Sequence, residues 1–407
     1  PGIARGGLRA PLLAALVAAA FAAAATGGAA PAAAQTDDPV PGPPAEGAVR
    51  VAVFNASLSR DGAGLAFRDI AEGRPQPHAA AEIVQRVRPD ILVLLEIDHD
   101  PEGLALTAFA QLLREGQEGA APADYPHVWS APPNTGFPSG FDLDGDGKAE
   151  GPNDARGWGR YPGHFGMAIL SRWPLDLDAI RTFRDLPWQA MPDNLMPPDH
   201  FPKAAEGALP LSSKSHWDAP VRLPDGRRLH LLVSHPTPPV FDGPEDRNGR
   251  RNHDEIRFWV DYISGAGWMR DDQGREGGLA DGAAFVLTGD LNADPKDGDA
   301  RREALLALLS HPRVQDPRPR SRGAEAAAKQ GGANARHGAD PAFDTSDWRD
   351  EPGPGNLRVD YALPSDGWRT TGAGVFWPAP DHPLARLVKG GRRPASSDHR
   401  LVWVDLR

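Results

Sequence analysis

Asp290 and Asn292 stand two positions apart in the run Thr288-Gly289-Asp290-Leu291-Asn292-Ala293-Asp294, directly after the apolar stretch 283–287. In extended chain alternate side chains point the same way. A carboxylate and a carboxamide at this spacing can therefore grip one water or one phosphate oxygen between them. Phosphoester hydrolysis needs such a grip, because the phosphoryl oxygens are negative and a catalyst must neutralise charge, activate a water and stabilise the leaving group. Gly, Asp and Asn are also ordinary turn formers, and this segment alone is read equally well as a strand running into a loop.

The other polar strand ends shift the balance. The apolar run 51–54 ends at Asn55, 91–95 ends at Glu96, and 229–234 ends at His235. Asp360 lies inside the run 358–363, where an unpaired charge is costly and a partner is expected. Asp398 and His399 introduce the run 401–404. One polar residue of this kind is usually structural, but six in one chain point to a shared site.

In this order and with these neighbours the motifs resemble the endonuclease/exonuclease/phosphatase superfamily, which includes deoxyribonuclease I, abasic-site endonucleases, neutral sphingomyelinases and inositol-polyphosphate 5-phosphatases. The resemblance rests on Asn55, on Glu96 closing Pro89–Glu96, on Gly166–Arg172 as a central strand and on Ser234-His235-Pro236. Asp290-Leu291-Asn292, Asp360 in Arg358–Tyr361, and Ser397-Asp398-His399 complete it. It runs from about Val49 to Leu406 with insertions.

The resemblance implies an α/β (α+β) fold of the deoxyribonuclease I type, a four-layer sandwich of two packed mixed β-sheets flanked by helices, with the active site at one end. It also implies roles. Glu96, with Asn55 and Asp398 nearby, would hold a divalent cation, and Mg²⁺ (or Mn²⁺) suits a site with few carboxylates because it keeps several waters and accepts phosphate oxygens directly. Asp290 and Asn292 would orient the attacking water and the phosphoryl group. His399, held in one tautomer by Asp360, would act as general base or as a charged phosphate clamp, and His235 would donate to a phosphate oxygen or the leaving group. Whether Asp290 or His399 takes the proton stays open at this level.

The elements that must bring these residues together are visible in part. Ile83, Val84 and Val87 recur at helical spacing in 77–88, stopped by Pro89. Further amphipathic helices are read over 104–114, 253–263 and 301–309. Strands and helices mix without a strict βαβ repeat, and no internal repeat is present. Motifs spread from Asn55 to His399 must converge on one site, which implies a single catalytic domain over 49–407. Insertions are read near 139–161, 183–221 and 317–355, the last expected to carry little structure.

Two signals lie outside the superfamily pattern. Asp142, Asp144 and Asp146, each followed by one residue and the set by Gly147, match the first half of a calcium loop. Asn153 stands where the closing Glu is wanted and Asp154 follows it, so a structural Ca²⁺ loop without an EF-hand helix pair is expected. Lys214 and His216 before the His235 strand, Arg250 and Arg251 after it, and His164 before the central strand are candidates for reading a substrate phosphate or head group. Each is also consistent with an ordinary surface position.

The N-terminal 34 residues combine Arg5 and Arg9, an apolar Ala-rich middle and Ala32-Ala33-Ala34, the pattern of a signal peptide. Residues 35–48 read as a flexible lead. Export to the periplasm or the exterior is expected, with no transmembrane anchor after cleavage near Ala34. The chain has no cysteine, and a core of this size needs no disulfide. Beyond residue 34 it carries 42 basic against 55 acidic residues, a net −13. Such a surface disfavours tight duplex DNA binding. The expected partner is a phosphoester substrate, with no stable protein partner implied. The leading expectation is a metal-dependent phosphoesterase attacking P–O bonds with water, phosphodiesterase or nuclease first. A phosphomonoesterase on nucleotide, sugar or inositol phosphates, a phospholipid-cleaving enzyme, and a non-catalytic secreted Ca²⁺-binding module are the alternatives.

Overall fold

A computed structural model describes residues 34–35, 38–117, 119–389 and 394–407. The expected signal peptide and its cleavage point fall on or beside residues outside that set.

Among the described residues, fourteen strands form two large sheets and one small ribbon. The first large sheet contains β1 (Ala34–Gln35), β2 (Val49–Asn55), β3 (Ile91–Ile97), β4 (His127–Trp129), β5 (Gly166–Ser171), β13 (Thr370–Val375) and β14 (Val402–Leu406), in the order β1-β13-β14-β2-β3-β5-β4. The second contains β6 (Arg181–Thr182), β7 (His216–Arg222), β8 (Arg228–Ser234), β9 (Phe285–Asp290) and β12 (Asp360–Pro364), in the order β12-β9-β8-β7-β6. The ribbon pairs β10 (Ser346–Asp347) with β11 (Asn356–Leu357).

Strand periodicity assigns the layers. In β8, Leu229, Leu231 and Val233 enter the core between the sheets, whereas Leu232 enters a second core behind. Val286 of β9 and Ala362 of β12 also face inward, and Phe285, Leu287, Tyr361 and Leu363 face outward. This is the two-residue alternation of a sheet buried on both sides. Helices α1 (Leu65–Ala71), α2 (Pro75–Val87) and α3 (Leu104–Glu115) contribute Ile70, Ile83, Val84 and Phe109 to the core of the first sheet. Behind the second sheet, α5 (Arg247–Ile263) and α6 (Glu303–Leu309) bring Ile256, Trp259, Leu305 and Leu308, while the short α4 (Lys203–Glu206) and α7 (Arg322–Ala327) lie in insertions. The result is the expected helix–sheet–sheet–helix sandwich.

The same alternation aims the chemistry. His235 continues the inward register of Leu231 and Val233, Asp290 that of Val286, and Asp360 that of Ala362. β2 runs parallel to β3, and β8 parallel to β9, so Asn55, Glu96, His235 and Asp290 leave the two sheets at one edge. β12 and β14 run antiparallel to their neighbours, which brings their starts, Asp360 and the segment just after His399, to that edge. Gly289 permits close pairing there, since a Cβ would lie 2.3 Å from the Ser234 carbonyl oxygen.

Several sequence expectations change. The region 183–221 is not all insertion, because its end is β7, where Trp217 is fully buried and meets Trp129 edge-on at 4.6 Å between centroids. Helix α5 begins at Arg247, so Arg250 and Arg251 sit on its first turns and not in a loop. Residues 38–48 do not trail freely: Pro39 is buried, Val40 packs on the core and the Gly42 carbonyl accepts from Arg50 Nη2.

The segment 317–355 carries more structure than its composition suggests. It holds α7, three 3₁₀ turns and β10, anchored by the buried Ala324 and Ala342 and by Ser321, whose hydroxyl caps α7 by accepting from Ala324 N. Small residues give no hydrophobic periodicity, but they fit against a neighbouring surface. This segment also buries Asp344, 5% exposed, and burial together with the charges of Asp294, Asp297 and Asp340 pushes its carboxyl up to about 8. An acid raised in the fold binds a proton more tightly there than in the unfolded chain, so stability falls as pH rises from about 4 through 8. Asp344→Asn should therefore melt several degrees above wild type at pH near 9 and lose that advantage near pH 4. Equal melting curves at both pH values would show that Asp344 carries no such strain.

Candidate active site

Asp290 is the hub. Its Oδ2 accepts from Asn55 Nδ2 at 3.1 Å and lies 3.3 Å from His235 Nε2 and 3.6 Å from His399 Nε2, while Oδ1 accepts the Asn292 backbone N–H at 3.0 Å. Asn292 adopts a left-handed φ of 51°, which Asn tolerates, and its Nδ2 donates to the Pro236 carbonyl at 3.1 Å, tying the β9 exit to the β8 exit. Asp290 is 1% exposed and Asn55 0%.

His399 lies between two carboxylates. Its Nδ1 faces Asp360 Oδ2 at 3.0 Å and its Nε2 faces Asp290. Burial alone would strip the imidazole of its proton, but Asp360 and Asp290 hold it charged well above the ordinary histidine range. Burial would raise Asp290, yet His399 and His235 keep it below the usual carboxylate range. Asp360, with burial pushing it up to about 6, is the more readily protonated member of the pair. Asp290, Asp360 and His399 bring ligand atoms within 4.8 Å of one another, and the two hydrogen-bonding directions of one imidazolium account for that cluster.

The segment carrying His399 is fixed to β2, since Ser397 Oγ donates to the Asn55 carbonyl at 2.7 Å and accepts from His399 N at 3.0 Å. Two residues with no motif signal complete its surroundings. Thr345 Oγ1 donates to Asp360 Oδ2 at 2.8 Å and accepts the N–H groups of Val359 and Asp360, and Trp348 meets the His399 ring edge-on at 5.3 Å. Both come from the 317–355 segment, so no local pattern near the motifs could have announced them.

Glu96 sits where the register between β3 and β5 shifts, with a φ of 56°. Such a bulge re-aims a side chain at a strand end, here toward Asn55, whose Nδ2 donates to Glu96 Oε1 at 3.1 Å. Burial, with Asp398 and Asp290 adding their charge, pushes the Glu96 carboxyl up to about 7. A divalent cation bound there would relieve that crowding, and the oxygen donors of Glu96 and Asp398 would suit Mg²⁺ or Mn²⁺. Asn55 is turned differently from the expected ligand. Its Oδ1 accepts from Ser57 N at 3.2 Å, and its amide group bridges Glu96 and Asp290. Asp398 Oδ1 accepts from Ser57 Oγ at 3.3 Å.

His235 is 3% exposed; burial and the Lys214 charge push it down to about 4, leaving it neutral, and its Nδ1 has no hydrogen-bond partner among the described residues. The other substrate-reading candidates divide. His216 is an interior residue, its Nε2 2.8 Å from the Glu255 carbonyl and its Nδ1 against Ser212 Oγ. Arg251 donates to the Leu211, Arg156 and Pro210 carbonyls, and Arg250 to those of Glu245 and Leu195, so both staple insertions to α5. His164 is buried against Phe165 at 3.7 Å between ring centroids, with burial pushing it down to about 4. At Lys214, 6% exposed, burial lowers the affinity of the ammonium for its proton, and the charges of Glu255, Glu96 and Asp290 oppose that shift.

The sequence matches the Endonuclease/Exonuclease/phosphatase family over residues 52–399. The chain belongs to this family. Endonuclease/exonuclease/phosphatase proteins are generally hydrolases of phosphoester bonds and typically use a divalent metal. Comparison with curated proteins gives no match. Similar solved structures include an endonuclease/exonuclease/phosphatase from Beutenbergia cavernae DSM 12333, with 17% identity, 88% of this chain and 71% of that one covered, and a TM-score of 0.49. A family protein from Leptotrichia buccalis C-1013-b has 13% identity, coverage of 88% and 99%, and a TM-score of 0.47. The human Nocturnin catalytic domain with bound sulfate has 15% identity, coverage of 88% and 94%, and a TM-score of 0.43.

Away from this family site, Asp142, Asp144 and Asp146 bring ligand atoms within 4.8 Å of one another on an exposed loop. Asp154 is not among them; it is buried, and its Oδ1 accepts the Leu143 N–H at 2.7 Å. Among the described residues no helix is long and apolar enough to cross a membrane.

Proposed function

We propose that this protein is an exported, divalent-metal-dependent phosphoesterase that cleaves P–O bonds by direct attack of water, acting first on phosphodiesters. The observation that carries this reading is the Asp290 hub, one ionised oxygen within 3.6 Å of Asn55, His235 and His399. Because His399 is held protonated by two carboxylates, it is a poor base and a good charge for a phosphoryl oxygen. Asp290, ionised beside it, takes the proton as the water oxygen bonds to phosphorus and the P–O bond to the leaving group breaks. Neutral His235 presents an N–H to the same region, and Asn292 fixes the carboxylate through its backbone N–H. Mg²⁺ held by Glu96 and Asp398 would draw charge from the phosphoryl and departing oxygens.

Purified protein should hydrolyse bis-p-nitrophenyl phosphate or plasmid DNA in Mg²⁺ and not in EDTA. Turnover of p-nitrophenyl phosphate alone would favour a monoesterase, and of sphingomyelin alone a lipid-cleaving enzyme. Inactivity on all four in any divalent metal would overturn the reading. Export is tested by N-terminal sequencing of protein recovered outside the cytoplasm, where an intact N-terminus on cytoplasmic protein would count against it.

The acidic loop enters this reading as a Ca²⁺ site that serves stability. A ligand that binds only the native state raises the melting temperature, so Ca²⁺ should stabilise wild type more than the variant with Asp142, Asp144 and Asp146 changed to Asn, which should keep its turnover. Equal shifts in both would mean that the turn is merely solvated.

A further inference from the structure

Strand β6 ends at Thr182 beside β7, which starts at His216, and His216 pairs in turn with Ser234 of β8. The Phe183 N–H still donates to the His216 carbonyl at 3.0 Å, so the chain leaves β6 at the edge where His235 leaves β8. Arg184 follows. With neighbouring strands about 4.8 Å apart, its backbone lies roughly 10 Å from that of His235 along the edge. Phe183 belongs to the core behind the second sheet, and alternation turns Arg184 to the opposite face, on which His235 also lies.

Arg184 lines a cleft of about 390 Å³ whose other charged walls are Arg156 and Asp185 and whose apolar wall includes Phe137 and Pro210. Its guanidinium lies over the Phe137 ring at 4.4 Å. The walls are pinned: Asn134 Nδ2 donates to the Arg184 carbonyl at 2.6 Å and to the Ser212 carbonyl at 2.9 Å, and Arg156 N donates to the Phe137 carbonyl at 2.9 Å. Arg156 Nη1 is paired with Asp185 Oδ1 at 2.7 Å. Arg184 has no such pair, because among the described residues its guanidinium makes no hydrogen bond and meets no carboxylate within 4.0 Å. Asp185 and Asp272 attract it from further away, and Asp272 is already engaged by Thr182 Oγ1 and by the N–H groups of Arg184 and Asp185. Arg184 Nε is sealed from solvent and its two Nη groups are not, which leaves their donors open.

Two arginines against one aspartate make this cleft positive, in a chain that carries a net −13 beyond residue 34. Arg250 and Arg251, which staple insertions, spend their donors on backbone carbonyls. Arg184 spends none, and a planar guanidinium with open Nη groups matches the oxygens of a phosphate. Two strand spacings from His235, it is placed for a phosphate other than the one attacked at Asp290.

We propose that Arg184 and its cleft form a second phosphate subsite, which holds an uncleaved phosphate of a short single-stranded nucleotide chain while the scissile phosphodiester sits at Asp290. This rests on the phosphoesterase reading and adds the substrate class. A nucleotide chain fits because its phosphates repeat along one line, as the edge from His235 to Arg184 runs.

The test compares wild type with Arg184→Gln in Mg²⁺ on bis-p-nitrophenyl phosphate, which has one phosphate, and on a thymidylate pentamer, which has several. The ratio of kcat/KM for the pentamer to that for bis-p-nitrophenyl phosphate should fall at least about tenfold in the variant, through KM, because a charge-assisted contact is lost. For the pentamer, the slope of log KM against log salt should become shallower by about 0.7, the share of one single-strand phosphate contact. Arg184→Lys, which keeps the charge without the fork, should recover the slope and part of the ratio. A structural role would lower turnover of both substrates together and leave the salt slope as in wild type, and that result overturns the proposal. If inositol hexakisphosphate inhibits wild type at least about tenfold more strongly than Arg184→Gln while the pentamer ratio holds, the cleft takes a polyphosphorylated alcohol and the nucleotide chain is wrong. If wild type cleaves neither substrate, the phosphoesterase reading fails. Fluorescence anisotropy of a labelled pentamer then decides the cleft by itself, and equal affinity for wild type and Arg184→Gln would remove the subsite.

Discussion

Replacing His399 with glutamine should lower turnover at least about a hundredfold while circular dichroism stays native. Glutamine fills similar space and can still donate to Asp360, but it carries no charge. In wild type one imidazolium faces Asp360 at 3.0 Å and Asp290 at 3.6 Å, and its loss leaves two buried carboxylates without their shared cation. Asp290 should then resist ionisation, so proton transfer from water and charge stabilisation fail together. Asp290→Ala and His235→Ala should lose activity to a similar degree, and Asp360→Asn should reproduce part of the His399 defect. The stability effect has a definite sign. His399 is raised in the fold, so its contribution is fully present below its unfolded value of about 6.5 and disappears only as pH rises through the elevated native value. The melting temperatures of wild type and His399→Gln should converge in strongly alkaline buffer. A folded His399 variant with near-normal turnover would refute the mechanism.

Glu96→Gln should shift the Mg²⁺ concentration needed for half activity upward by about a hundredfold or more, or abolish activity. The strand carrying Glu96 is apolar on both faces, and the bulge and left-handed φ at that residue turn one carboxylate out of it toward Asp290 and Asp398. Without metal this arrangement works against folding. The Glu96 carboxyl is pushed up to about 7, so metal-free stability should fall as pH rises from about 4.5 to 7. Mg²⁺ should cancel that loss in wild type, and Glu96→Gln should remove it without metal. Calorimetry at pH 5.5 and 8, with Mg²⁺ or EDTA, reads both effects. A variant that matches wild type throughout the Mg²⁺ titration would show that the cation is held elsewhere.

Much of this was legible in the chain before any coordinates. Alternation along a strand puts His235 on the face of Leu231 and Val233, Asp290 on that of Val286 and Asp360 on that of Ala362, but both faces are apolar and buried, and only the packing of the two sheets decides which of them is the inter-sheet face. The order of short motifs from Asn55 to His399 supplies the family and the sandwich. Helices α2 and α3 were legible because their apolar residues repeat with the helical period.

Other decisions belong to tertiary structure. That Asn55 holds two carboxylates through its amide group depends on Ser57 occupying its oxygen. Thr345 and Trp348 reach His399 from a segment whose Ala, Gly and Pro content carries no periodic signal, and only the surface it packs against gives it shape. His216, Arg250 and Arg251 have side chains suited to phosphate, yet backbone carbonyls across the chain take up their donors. A sequence fixes which donors a side chain carries and which face of its element it leaves from. Whether those donors are already satisfied depends on segments far along the chain, and that satisfaction separates a structural cation from one available to a substrate.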